Sequence, residues 1–188
     1  MQKIISLFQR DYDTPERLVR DEVVPGAEWV LAGEGVPTVK FDGTACRVRD
    51  GRLFKRYDAK PGRKPPPNFE LSGESDPITG RVQGWLPVGD GPEDRWHREA
   101  WACESTTPPD GTYELIGLKV QGNPYGFSRH MLTQHGSIIL STPPARDFSS
   151  IRTFFEECPN LEGIVWHHLD GRMVKIKGRD FGYKRVSS

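Results

Sequence analysis

The chain has 188 residues, enough for one domain with a hydrophobic core or for two small lobes, and its 26 basic and 26 acidic residues give no net charge. No apolar run approaches a membrane span, and MQKIISLFQRDYD turns charged too early for a signal peptide, so a cytoplasmic protein without a membrane partner is expected. Cys46, Cys103 and Cys158 lie far apart with no CxxC pair, which argues against a zinc ribbon, a redox motif or a disulfide framework.

Strand signals begin at Val36–Phe41 and continue through Thr44–Arg49, an Asp50-Gly51 turn and Arg52–Tyr57. The three prolines of GRKPPPN make residues 62–68 a loop, because a central strand cannot accommodate them. This loop opens an inserted segment of about 62–110, closed by STTPPDGT at 105–112. Inside it, Asp94–Trp101 suits a short helix, and 69–109 otherwise carries no interpretable motif. Thr112–Gly117 and Ser137–Leu140 read as further strands. A helix is expected over Phe148–Cys158, capped by Asp147 or Ser149 and followed by Pro159. Glu162–His168, Asp170-Gly171 and Arg172–Lys177 repeat the hairpin pattern. Many hairpins with few helices predict an antiparallel α+β fold, a single domain over 1–188.

The neutral average conceals segregation. Arg47, Arg49, Arg52, Lys55, Arg56, Lys60, Arg63 and Lys64 face only Asp50 and Asp58 within their run. Arg172, Lys175, Lys177, Arg179, Lys184 and Arg185 face only Asp180. Acidic residues gather at 70–76 and 90–104. This distribution suits a protein that handles a polyanion on one face, although either run alone is also what a solvated hairpin looks like. There is no G-x-x-x-x-G-K-[ST] loop, no G-x-G-x-x-G after a strand and no H-E-x-x-H, so any bound phosphate must be held by side chains.

Three short patterns carry chemistry. Lys40-Phe41-Asp42-Gly43 sets an amine at a strand end beside a tight turn. An unperturbed lysine is almost wholly protonated near neutrality, so a nucleophilic role needs nearby cations to favour the free amine. Lys175 and Lys177 supply two, projecting from one face of a strand, a spacing that also defends an exposed sheet edge. Glu162, one hairpin earlier, would complete a set able to hold a divalent ion against phosphate oxygens, or is simply a surface glutamate before a turn glycine. Glu114 sits among apolar residues in YELIG and must have a partner there: a ribose hydroxyl, the nucleophilic lysine or a structural salt bridge. His130 and His135 lack an evident third ligand and read as loop or packing histidines rather than a metal site.

Lys-x-Asp-Gly, Tyr-Glu-Leu-Ile-Gly, Glu-Gly-Ile-Val and Lys-x-Lys occur in that order from Lys40 to Lys177. This succession resembles motifs I, III, IV and V of the covalent nucleotidyltransferase superfamily, which holds DNA ligases, RNA ligases and capping enzymes. KFDGTACRVRDGRLFKRYD and YELIGLKVQGNPYG are most similar to small single-domain ATP-dependent 5′-3′ RNA ligases. The resemblance implies an antiparallel-sheet adenylylation domain with two small lobes and no C-terminal OB-fold, since the chain stops soon after Lys177. It implies ATP and Mg2+ or Mn2+ as cofactors, and RNA with 5′-phosphate and 3′-hydroxyl ends as partner.

Residue by residue, the resemblance makes Lys40 the amine that becomes adenylylated, with Asp42 and Gly43 shaping its turn. Arg56 would contact the phosphate of the incoming end, Glu114 the ribose, and Glu162 the metal. Lys175 and Lys177 would hold the α-phosphate and the leaving pyrophosphate. Phe127, with Tyr125 second, would stack on the base. Ligases often carry arginine where this chain has Ala45, and Arg47, on the same strand face, is the substitute. The expected activity is RNA joining through a lysyl-AMP intermediate. Capping-type guanylyl transfer, DNA nick sealing and non-catalytic RNA binding are the alternatives.

Overall fold

The computed structural model describes residues 4–73, 80 and 82–184. Arg185, Glu74 and Asp76, counted above in the charge runs, lie outside them. In chain order the elements are β1 (Ile5–Ser6), β2 (Phe8–Arg10), β3 (Val19–Val23), α1 (Glu28–Leu31), β4 (Val36–Lys40), β5 (Thr44–Arg49) and β6 (Arg52–Ala59). There follow β7 (Glu70–Leu71), β8 (Val82–Pro87), α2 (Arg95–Ala102), β9 (Gly111–Ile116), β10 (Met131–Gln134), α3 (Phe148–Glu157), β11 (Gly163–His167) and β12 (Met173–Lys177). Single 3-10 turns at Pro92–Asp94 and Gly178–Phe181 precede α2 and follow β12. The fold is α+β and mostly antiparallel, as expected. Among the described residues no helix is long and apolar enough to cross a membrane.

The chain divides into two compact units, one of residues 42–135 and the other of the flanking stretches up to residue 41 and from residue 136. The second unit holds a four-stranded sheet in the order β1-β12-β11-β4, with β1 parallel to β12 and the other pairs antiparallel. Strand alternation sends Ile164, Trp166, Val174 and Ile176 to one face. There they join Leu7, Phe8, Ile151, Phe155 and Phe181 in a core. Burying each such large side chain contributes roughly 1.5–3 kcal/mol. Helix α3 forms because Phe148, Ile151 and Phe155 recur at i, i+3 and i+7, and because Asp147 accepts the Ser150 N–H at 2.8 Å as its N-cap. Hydrogen bonds from the Ser149 hydroxyl and the Ser150 N–H hold the Asp147 pKa down at about 2.

The central unit holds a six-stranded antiparallel sheet, β10-β9-β5-β6-β8-β7. One face carries Cys46, Val48, Leu53, Tyr113, Leu115 and Leu132, covered by Ala100, Trp96 and Trp101 of α2. The segment 69–109 supplies β7 and β8, which the sequence did not announce, and the expected short helix, seen as α2, which closes the core. Lys55 forms an ion pair with the buried Asp94, which accepts the Gly89 N–H at 2.8 Å and tethers the turn before α2. Burial and the neighbouring Glu114 carboxylate push the Cys46 thiol far up, so this cysteine is an inert packing residue.

The Asp50-Gly51 turn behaves as its sequence predicts. Both residues take positive φ, 50° and 69°, the type I′ geometry that lets β5 and β6 pair without splaying. Ser137–Leu140 is a correction: it forms one isolated bridge, Ile139 to Thr38, and no strand. The N–H of Val39 donates to Ile138 and that of Leu140 to Pro37, but Pro37 has no N–H to return, so the ladder stops there.

Candidate active site

The antiparallel register of the four-stranded sheet aligns Lys40, Gly163 and Lys177 in one cross-strand row. The next row on that face is Thr38, Val165, Lys175 and Ser6. Thus three lysines share the face opposite the core. β11 begins at Gly163, one residue later than expected from sequence, so Glu162 stands just before it, with its side chain 7% exposed. Its Oε2 accepts Lys40 Nζ at 2.7 Å and its Oε1 accepts Lys177 Nζ at 2.6 Å. Gly163, between the two lysines, is required by close backbone approach: a Cβ there would lie 2.4 Å from the Ile176 carbonyl oxygen.

Lys175 lies on the same face without the carboxylate that its neighbours share. Burial, then Lys177, then Lys40 lower its pKa from 10.5 to about 8. Because its folded pKa lies below its unfolded value, the folded state sheds a proton between pH 8 and 10.5 that the unfolded chain retains. Folding stability from this group therefore rises as pH increases through that window. Below pH 8 its charge opposes folding. Lys175→Met is expected to raise the melting temperature at pH 7 and to lose that advantage at pH 10, which a thermal-melt series across pH measures.

Glu162 is the residue expected from sequence to hold a divalent ion; both its oxygens meet lysines, and among the described residues no group of three His, Cys, Asp or Glu side chains could hold a metal. A single carboxylate fits Mg2+, which keeps several waters and binds through one or two carboxylates together with substrate phosphates.

The central unit carries the remaining sequence candidates. Ala45 pairs with Glu114 and Arg47 with both Thr112 and Phe54, so Ala45, Arg47, Glu114 and Arg56 share the sheet face opposite the α2 core. Arg47 does share the face of Ala45, as required of a substitute. Arg47 Nη1 lies 4.0 Å from Glu70, which binds Arg49 at 2.5 Å, and Arg56 pairs with Asp58 at 2.9 Å. Glu114 has two partners: Oε1 accepts the Gly43 N–H at 3.0 Å and Oε2 meets His135 Nε2 at 2.7 Å. His135 also meets the Thr112 hydroxyl at 2.9 Å. Sequence reading missed this histidine's role; its position just after β10, beside β9, was the signal.

The turn after Lys40 is held from the central unit's own side. The Asp42 N–H donates to the Tyr125 hydroxyl at 2.6 Å, and a Cβ on Gly43 would fall 2.1 Å from the Leu115 carbonyl oxygen. Gly43→Ala is expected to cost about 1–3 kcal/mol through backbone displacement, read as a lowered denaturation midpoint. Phe127, the first base-stacking expectation, has its ring 5.7 Å from that of Tyr125. Its backbone N–H and carbonyl are both clamped by the Asn123 side chain at 3.0 Å. His130 is buried, meets Glu99 at 2.9 Å and stacks on Trp96, a packing role.

A family model described as RNA ligase 1 matches residues 108–187, a stretch that includes Glu114, Phe127, Glu162, Lys175 and Lys177. Over 80 residues the chain is 44% identical to RNA ligase 1 of Danio rerio. Over this stretch the chain is similar to RNA ligase 1. The zebrafish alignment covers 39% of this chain and only 25% of that protein. RNA ligase 1 of Pongo abelii aligns over 218 positions at 25% identity, and that of Mus musculus over 218 positions at 26%; each alignment covers 78% of this chain and 67% of the relative. Lys40, Asp42, Arg47 and Arg56 lie outside the residues that the RNA ligase 1 model matches.

Proposed function

We propose that this chain joins RNA ends, using ATP through a phosphoramidate on Lys40. The observation that carries the reading is the sharing of Glu162 by Lys40 and Lys177 across adjacent strands, with Lys175 on the same face. In the ion pair Lys40 is an ammonium and has no lone pair for attack. For attack it must leave Glu162 and give up a proton.

The neutral Lys40 Nζ attacks the α-phosphorus of ATP, forming an N–P bond as the P–O bond to pyrophosphate breaks. Lys177 and Lys175 offset the charge that develops on the phosphoryl oxygens. An RNA 5′-phosphate oxygen then attacks the same phosphorus and releases Lys40, leaving an AMP-capped end. Attack by a 3′-hydroxyl on the RNA phosphorus forms the phosphodiester and expels AMP. A divalent ion at Glu162 would supply further charge neutralisation on triphosphate oxygens. In the nucleotidyltransferase reading, Glu114 holds the ribose, Phe127 stacks on the base, and Arg47 and Arg56 contact phosphates. The names of the relatives and the order of the four motifs support this assignment.

Labelled ATP and GTP, each incubated with protein and Mg2+ and followed by denaturation, separate the rivals. Label retained from ATP, and chased into a 5′-phosphorylated RNA, is the expected result. Label retained only from GTP supports capping chemistry instead, transfer only to nicked DNA supports a DNA ligase, and no retained label leaves a non-catalytic RNA-binding domain.

A further inference from the structure

We propose that the groove beside Lys175 and Lys177, walled by Ser6, Arg179 and the β2–β3 ribbon with Tyr12 on its rim, is a track for single-stranded RNA leading to the joining centre. This rests on the ligase reading of the three-lysine face. The groove has a volume of about 740 Å³ and lies wholly within the unit that carries Lys40. None of its wall from Ile4 to Pro25 belongs to the four motifs.

Its chemistry is graded. At the inner end, Lys175 and Lys177 enter it directly from the reacting face. Arg10 and Arg20 also line it but are committed, Arg10 to Asp180 and Arg20 to Glu22. Lys175 and Arg179 have no ion-pair partner among the described residues and so offer charge to an incoming phosphate. The Ser6 hydroxyl, in register with Lys175, is buried and has no hydrogen-bond partner among the described residues, leaving a donor in the wall. At the outer end the character changes. Tyr12 is 71% exposed, and Asp11 and Asp13 flank it.

An anion held near Asp11 and Asp13 would be repelled, whereas a base stacked on Tyr12 would not. Phosphate-seeking groups at one end and an exposed ring at the other match the pairing of backbone contacts with aromatic stacking in single-strand binding sites. A leaving pyrophosphate would use the inner end alone, since it has no face on which a ring can stack.

The test uses the full chain and a fluorescent single-stranded oligoribonucleotide bearing a 5′-phosphate. Tyr12→Ala and Arg179→Ala are each expected to weaken binding about tenfold. Arg179→Ala should also make the dependence of log affinity on log salt shallower by about one, and Tyr12→Ala should leave that slope alone. Tyr12→Phe should restore affinity, excluding a folding defect. Adduct formation with ATP alone, a step without RNA, should keep its wild-type rate in all three variants. Unchanged RNA affinity in both alanine variants, or absence of RNA binding by the wild type, overturns the proposal. A parallel loss of adduct formation also overturns it and assigns the groove to the triphosphate. If the wild type forms no adduct while RNA affinity still depends on Tyr12 and Arg179, the track stands and the ligase reading falls.

Discussion

Lys40→Ala is expected to lower nucleotide adduct formation on the order of a thousandfold or more, to the background of the assay, because no other group replaces an absent covalent nucleophile. The substitution should leave the fold intact. Glu162 keeps Lys177 at 2.6 Å, and the backbone of β4 keeps its register with β11. Lys40→Arg is the sharper control. A guanidinium preserves a cation opposite Glu162 but cannot lose its proton in a protein, so the adduct should be absent although charge is unchanged. The readout is label retained after denaturation, beside a thermal melt showing that both variants fold.

Glu162→Ala acts on stability and chemistry together. The buried carboxylate joins Lys40 and Lys177, and Lys175 adds a third ammonium to the same face. Removing it leaves these cations facing one another with their anion gone, at a cost of about 3 kcal/mol at pH 7. Lys175 becomes neutral as pH rises through about 8, so part of the repulsion is relieved above that point. The destabilisation should be larger at pH 6.5 than at pH 9, measured by denaturant unfolding at both. Adduct formation should weaken and require more Mg2+ for the yield that remains. A Glu162→Ala protein as stable as wild type at both pH values would contradict this electrostatic account.

Much of the lysine centre was legible because hairpins are local. Asp50-Gly51 and Asp170-Gly171 announce their turns, and once β11 and β12 are joined, alternation alone puts Lys175 and Lys177 on one face. The nearness of Lys40 to Lys175 and Lys177 is non-local and was expected only through motif order; the register of Lys40 with Gly163 comes from the structure alone. Other parts left no local trace. β1 is two residues long and pairs in parallel with β12, far away in sequence. β3 reads Val-Arg-Asp-Glu-Val, too charged to register as a strand by hydrophobicity. Ser137–Leu140 had the right residue types but met a proline on its partner strand. Glu114 was rightly marked as needing a partner. That one partner is His135 depends on the pairing of β10 with β9, and β10 was not expected from sequence.

The lowered pKa of Lys175, an amine on the face that Lys40 shares, makes one question decisive. After reaction with ATP and Mg2+, the protein should be denatured, digested and mapped by mass spectrometry for the residue bearing AMP. AMP on the peptide containing Lys40, and absent from that containing Lys175, is the predicted result. AMP on Lys175, or on no lysine at all, would contradict the assignment of the nucleophile.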